Sequence, residues 1–361
     1  MKRFTKNSGK VTRVFLVMLL MVFVVTACNK EEDYVEPQEN LPDFITALES
    51  FDQEVEYAEL ASPEGRWGSY YWKRKWKKRP TYLTLIAALK YTKLFSTVVR
   101  NKVTVFAPDD KAFADLGLYF WNIRKIDKEV LTDILLYHTA EGFIYASDLP
   151  SCSQDMLNGS AIGLNFMDDK VLIKDASEKF AQVVYTDKKA LNTVFHGIDK
   201  VLTPPDKTIA EIAGGNGDFS ILVSLLEATG LDAVVADPKQ NLTVFAPTNQ
   251  AFADLLAAFP GFDLLGYFER YPDELEKVLL HHVAGGSTFS FCLSDGDMIP
   301  TLNTDMLTVD FSDATMPKLI DSSGNPAGLE TTLLDLHANN GVIHVIKSVL
   351  IPSNLDLSRP F

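Results

Sequence analysis

Apolar positions recur at several different spacings along this chain, and each spacing predicts a different element. Residues 14–25 form an unbroken apolar run, too short for a spanning helix and suited to a secretory signal. Phe44, Leu48, Phe51 and Val55 recur at helical intervals, and Leu222, Leu225 and Leu226 repeat them, so both stretches predict amphipathic helices. Val103-Thr-Val-Phe106 reads as a short strand stopped by Pro108, which lacks the donor a sheet interior needs. Asp109 and Thr248 then offer N-cap oxygens to helices that carry Phe113 and Phe252. In Val342-Ile-His-Val-Ile346, Val342, His344 and Ile346 share one face, while Ile343 and Val345 share the other. That pattern predicts a strand covered on both sides, with Gly341 supplying a positive φ on entry.

The strand-to-helix corner occurs twice. Val103-Thr-Val-Phe-Ala-Pro-Asp-Asp-Lys-Ala-Phe-Ala-Asp-Leu116 returns as Leu242-Thr-Val-Phe-Ala-Pro-Thr-Asn-Gln-Ala-Phe-Ala-Asp-Leu255, with ten of fourteen positions identical. Leu135-Leu-Tyr-His138 pairs with Leu279-Leu-His-His282, and Asn192-Thr-Val-Phe-His-Gly-Ile198 with Asn340-Gly-Val-Ile-His-Val-Ile346. The offsets of 139, 144 and 148 residues are the size of a domain and too long for a solenoid unit. The chain is a tandem duplication of one module.

These motifs and their order resemble the fasciclin domain family over most of residues 81–352. The family signatures Thr-Val-Phe-Ala-Pro-Thr-Asn-x-Ala-Phe, Tyr-His and Asn-Gly-Val-Ile-His-Val-Ile have counterparts in both copies. Copy one departs with Asp109-Asp110 for Thr-Asn and with Thr193 for the glycine; copy two has His281 where the family shows tyrosine. The resemblance implies an α+β fold of two tandem modules, each a wedge-like β core with flanking helices, used in adhesion. The family-motif positions Pro108, Asp109, Phe113, His138 and His196, with Pro247, Thr248, Phe252, His282 and His344, are expected to be mainly structural.

The N-terminus bears on location. Lys2, Arg3, Lys6, Lys10 and Arg13 precede the apolar run without an acid, and the run ends in Val25-Thr-Ala-Cys28. This resembles a bacterial lipobox, which implies removal of residues 1–27, acylation of Cys28 and a membrane anchor. Residues 28–40, with Glu31, Glu32 and Asp33, read as an acidic flexible tether. An acidic cluster at that point resembles the signal that carries Bacteroidetes-type lipoproteins to the outer face of the outer membrane; the plainer reading is a solvated linker.

Hydrophobic residues at 47% and charged ones at 23% suit a globular body. The formal charge of −14 becomes more negative once the basic leader is removed, which argues against duplex nucleic acid as a partner. Beyond Cys28 only Cys152 and Cys292 remain, one per copy. Two buried thiols are expected; a bridge is the alternative and would require the two copies to face each other closely. His196 and His344 sit among apolar neighbours. Each either hydrogen-bonds backbone in the core or joins His138 or His282 at a metal; without carboxylates or thiols in the motifs the backbone reading is preferred and no metal or cofactor is expected. Catalytic signatures such as Gly-x-Ser-x-Gly, His-Glu-x-x-His and a Walker loop are missing from the sequence, so no enzymatic function is expected. Gly214-Gly-Asn-Gly-Asp218 follows a helix and reads as a turn.

Residues 62–80 have no counterpart in copy two. They hold seven Lys/Arg against one Glu, and three of the four tryptophans. Trp67, Tyr70, Tyr71, Trp72, Lys73, Arg74, Lys75 and Trp76 interleave aromatic faces with positive charge, which suits anionic glycans or headgroups; the alternative is a loop packed on its own domain. The sequence thus predicts domain 1 at 41–203, domain 2 at 206–352, a stiff junction at Thr203-Pro-Pro-Asp206 and a loose tail at 353–361. The expected function is a non-enzymatic, outward-facing outer-membrane lipoprotein that binds a surface protein, matrix component or glycan. The alternatives are glycan capture for a polysaccharide uptake system through the aromatic-basic loop, and a hydrolase with an unrecognised site.

Overall fold

The two corner motifs build the same piece of sheet twice. In a computed structural model, which describes residues 81–260, 263–313 and 315–356, β1 (Val103–Pro108) lies parallel to β7 (Thr193–Ile198), and β8 (Leu242–Pro247) lies parallel to β15 (Gly341–Ile346). The registers correspond: Phe106 opposes His196, and Phe245 opposes His344. Every residue of these four strands is buried. The alternation explains this, because Val105 and Phe195 face a helical core while Phe106 and Ile198 face a second core formed by the sheet. In module 2, Val244, Ile343 and Val345 face the helices, and Phe245 and Ile346 the opposite side.

In module 1 the pair extends into a seven-stranded sheet, ordered β2-β1-β7-β6-β5-β4-β3, with β2 (Thr139–Glu141), β3 (Ser153–Asp155), β4 (Ala161–Met167), β5 (Lys170–Lys174) and β6 (Ala181–Ala190). Module 2 divides its strands into two four-stranded sheets. One is β14-β15-β8-β9, with β14 at Leu336–Ala338 and β9 at Val283–Gly285. The other runs β10-β11-β12-β13, through Met298–Pro300, Met306–Asp310, Lys318–Ile320 and Pro326–Gly328.

The helical layer of module 1 comprises α1 (Leu83–Thr92), α2 (Phe95–Arg100), α3 (Asp110–Ala114) and α4 (Lys128–Tyr137). Module 2 supplies α5 (Ile209–Gly214), α6 (Ser220–Thr229), α7 (Asp232–Ala236), α8 (Asn249–Ala258), α9 (Leu264–Arg270) and α10 (Pro272–His281). Asp109 caps α3 through Ala112 N–H, and Thr248 caps α8 through Ala251 N–H. Leu222 and Leu226 are buried on α6, as their spacing predicts. After α5 the glycine-rich stretch turns on Asn216, whose side chain accepts from Asp218 N–H. Gly341 has φ +148°, and a Cβ there would stand 1.9 Å from the Leu242 carbonyl oxygen. Only glycine permits that approach to β8.

Two expectations are corrected. Residues 353–356 are not loose: Ser353 N–H and Oγ both donate to Asp305, at 2.8 Å each, and Asp356 N–H donates to the buried Glu274 carboxylate at 3.1 Å. The carboxylates of Asp305 and Glu274 in module 2 hold this stretch down. Nor are the cysteines free thiols. Cys152 and Cys292 form a disulfide with Cα atoms 5.3 Å apart, because the modules meet at that seam. Gly163 on β4 lies under the stacked rings of Phe289 and Phe291; a Cβ at this position would come within 2.8–2.9 Å of both. Asn241 of module 2 donates to Asp155 of module 1 at 2.9 Å. The predicted helix over Phe44, Leu48, Phe51 and Val55, the tether at 28–40 and the 62–80 stretch lie outside the described residues.

Candidate functional site

The four motif histidines are the first place to look for chemistry, and each module arranges its pair identically. His138 Nδ1–H donates to Ile134 O at 2.7 Å, and Nε2 accepts from Leu202 N–H at 2.9 Å. His282 does the same with Val278 O and Leu350 N–H, at 2.7 and 2.9 Å. His196 and His344 use the other tautomer: Nε2–H donates to Ile144 O at 2.9 Å and to Thr288 O at 2.8 Å. Their rings lie beside Phe106 and Phe245, with centroids 5.5 and 5.7 Å away. Burial pushes the pKa of His138 and His282 down to about 4, and lowers those of His196 and His344. These imidazoles are neutral fasteners between strands and helices. Their ring nitrogens are already committed to backbone, and among the described residues no cluster of three or more His, Cys, Asp or Glu side chains is arranged to hold a metal.

The remaining motif positions are equally internal. Pro108 and Pro247 close their strands, Phe113 and Phe252 are buried, and Asp109 and Thr248 are occupied as caps. His281 replaces the tyrosine of the other module. Tyr137 reaches Ala161 O at 3.1 Å, whereas His281 Nδ1 lies 3.2 Å from both Thr301 Oγ1 and Asn303 Oδ1. Cys28 and the residues from Trp67 to Trp76 lie outside the described residues.

Three surface features escaped the sequence reading. At the module junction a polar recess of about 250 Å³ is lined by Asp133, Asn158, Ser160, Asp206 and Asn339. In module 2 an apolar cavity of about 200 Å³ lies among α6, α8, α9 and α10, lined by Phe252, Leu264, Phe268, Leu275 and Val278 among others. On module 1, Tyr119, Phe120 and Trp121 form an aromatic tip after α3: the Tyr119 ring stacks on Trp121 at 4.5 Å and 4°, and Phe120 meets Trp121 edge-on at 4.9 Å. The sequence signal for the tip was the run of three consecutive aromatics, Tyr119-Phe120-Trp121, itself.

Two copies of one α+β module, each centred on a parallel strand pair fastened by two histidines, define a tandem-module protein whose repeated motifs build the fold. The fasciclin domain model matches residues 80–204 and 217–352, and the chain belongs to that family. It is 34% identical over 173 residues to protein sll1483 of Synechocystis, covering 48% of this chain and 85% of that protein. It is 26% identical over 257 residues to transforming growth factor-beta-induced protein ig-h3 of Sus scrofa, covering 70% of this chain and 33% of that one. The chain therefore spans about a third of the length of ig-h3. Among solved structures it is similar to a FAS1 domain pair from the insect cell adhesion molecule fasciclin I, with 17% identity, a TM-score of 0.38, and 74% and 97% of the two chains covered. Fasciclin domains are commonly adhesion and interaction modules, and membership of the family supports such a role here.

Proposed function

We propose that the protein is a lipid-anchored adhesion module of the bacterial outer membrane, facing outward, that presents two fasciclin domains as one body to a surface protein, matrix component or glycan. The observation that carries this reading is the seam: a disulfide, an inter-module hydrogen bond and the Gly163–Phe289–Phe291 contact join the modules. A fixed pair offers a continuous recognition surface without ordering a hinge on binding. The lipobox-like Val25-Thr-Ala-Cys28 supports the anchor, and Glu31, Glu32 and Asp33 support outward export. A second reading, glycan capture, is favoured by the tryptophans and cations of residues 62–80.

Metabolic labelling with a fatty acid should mark the wild type and leave Cys28→Ser unmarked; label retained by Cys28→Ser would sink the anchor. Protease shaving of whole cells should degrade the wild type, and deletion of residues 31–33 should protect it. A glycan array probed with the chain from Asn29 and with Trp67→Ala/Trp72→Ala/Trp76→Ala separates the two readings: signals lost only in the triple variant favour glycan capture.

A further inference from the structure

Module 1 carries an apolar tip after α3. Leu116, Phe120 and Trp121 are 59, 51 and 66% exposed, and Leu83, at the start of α1, is 51% exposed. The backbone beneath them is fixed. Asn122 Oδ1 accepts from Tyr119 N–H at 2.7 Å and its Nδ2 donates to Gly117 O at 2.9 Å. Ile123 is fully buried and Leu118 packs against the same helical core. The aromatic side chains are thus held out by a stapled turn. Tyr119 already covers one face of the Trp121 indole and Phe120 stands against it edge-on. What projects is a wedge, whereas a sugar platform needs an open flat face.

Charge around the wedge is balanced, although the chain as a whole carries −14. Residues 110–129 carry Lys111, Arg124, Lys125 and Lys128, all exposed, against Asp110, Asp115, Asp127 and Glu129, with Lys111 paired to Asp115 at 3.4 Å, so Arg124, Lys125 and Lys128 are the cations that follow the tip. The corresponding residues 249–273 of module 2 are acidic, with Asp254, Asp263, Glu269 and Asp273 against Arg270. The wedge also sits where the chain arrives from the N-terminal side. Thr81 Oγ1 and the N–H groups of Leu83 and Thr84 all donate to the Asp110 carboxylate. That bond set pins the start of α1 to the start of α3, one short helix before the tip. Solvent-facing aromatics flanked by Lys and Arg suit the headgroup–acyl boundary of a bilayer.

We propose that this corner is a membrane-docking surface. Phe120 and Trp121, with Leu116 and Leu83, enter the boundary of the leaflet that holds the chain, while Arg124, Lys125 and Lys128 pair with its phosphate headgroups. The choice of a bilayer as the partner rests on the lipid-anchor reading above. Two or three acyl chains on Cys28 would hold the chain at the membrane by themselves, so the docked corner acts chiefly to fix how module 1 lies on it.

The test is co-sedimentation of the chain from Asn29, which carries no acyl group, with phosphatidylcholine vesicles with and without phosphatidylglycerol. Binding is expected to the anionic vesicles. It should fall about tenfold or more in Phe120→Ser/Trp121→Ser and in the charge reversal Arg124→Glu/Lys125→Glu, weaken at high salt, and stay unchanged in Leu265→Ser of module 2. Circular dichroism checks that each variant is folded. Failure of the parent chain to sediment with anionic vesicles overturns the proposal, as does binding as strong as the parent's in Phe120→Ser/Trp121→Ser or an equal loss in Leu265→Ser. A glycan signal that disappears in Phe120→Ser/Trp121→Ser while vesicle binding persists also overturns it and assigns the tip to sugar. Since no acyl group takes part, the outcome is separate from the labelling of Cys28.

Discussion

A neutral imidazole that accepts one backbone N–H and donates to one carbonyl cannot take a proton without setting two donors face to face. His138 and His282 are in that position, with pKa values pushed down by burial to about 4 against an ordinary 6.5. All six histidines of the chain are shifted downward, burial leading in each case. The sign follows from linkage. Between about pH 6.5 and 4 the unfolded chain binds more protons than the folded one, so stability is complete above 6.5 and is lost as pH falls. Urea unfolding at pH 7 and at pH 4.5 should show a loss of several kcal/mol, on the order of 2–3 for each of His138 and His282; a midpoint indifferent to pH in this range would contradict the assignment. At the caps, Asp109→Ala and Thr248→Ala should each cost about 1 kcal/mol in the same measurement. Gly341→Ala should do far more, because its Cβ collides with the Leu242 carbonyl; loss of module 2 protection in limited proteolysis is the expected result.

At the scale of elements, the sequence motifs were legible because each states a local physical requirement. Pro108 and Pro247 had to end a strand, Asp109 and Thr248 had to start a helix, and the alternation around His344 had to be covered on both faces; these are the strands and caps found. What stayed hidden depends on partners distant in sequence. Gly163 carries no local signal, yet its missing side chain admits two phenylalanines from the other module. The short strands of module 2's second sheet, three to five residues each, lie below the length at which alternation can be read. Gly163→Val should therefore overpack the seam and cost about 1–3 kcal/mol, with faster cleavage at the module junction; unaltered unfolding and cleavage would show that the rings move aside freely.

For the whole molecule, the spacing of Cys152 and Cys292 at corresponding places left the bridge open, since sequence does not say how two copies face each other. The seam decides it. Cys152→Ser/Cys292→Ser should lower stability by about 2–4 kcal/mol, read from unfolding in denaturant, because the bridge closes a loop of 140 residues; reducing agent should reproduce the effect in the parent chain and leave the double variant unchanged. The same covalent shortcut governs how the protein bears tension. A pull between the N-terminal side and a ligand gripped beyond residue 292 passes directly from Cys152 to Cys292, and the residues between them carry none of it. They comprise β3 to β9 and α5 to α10, roughly 480 Å of extended chain at about 3.4 Å per residue. Oxidised, the molecule keeps that length out of the load path. Reduced, it can pay the length out as slack, so the redox state of one bond sets whether the adhesive link is stiff or extensible.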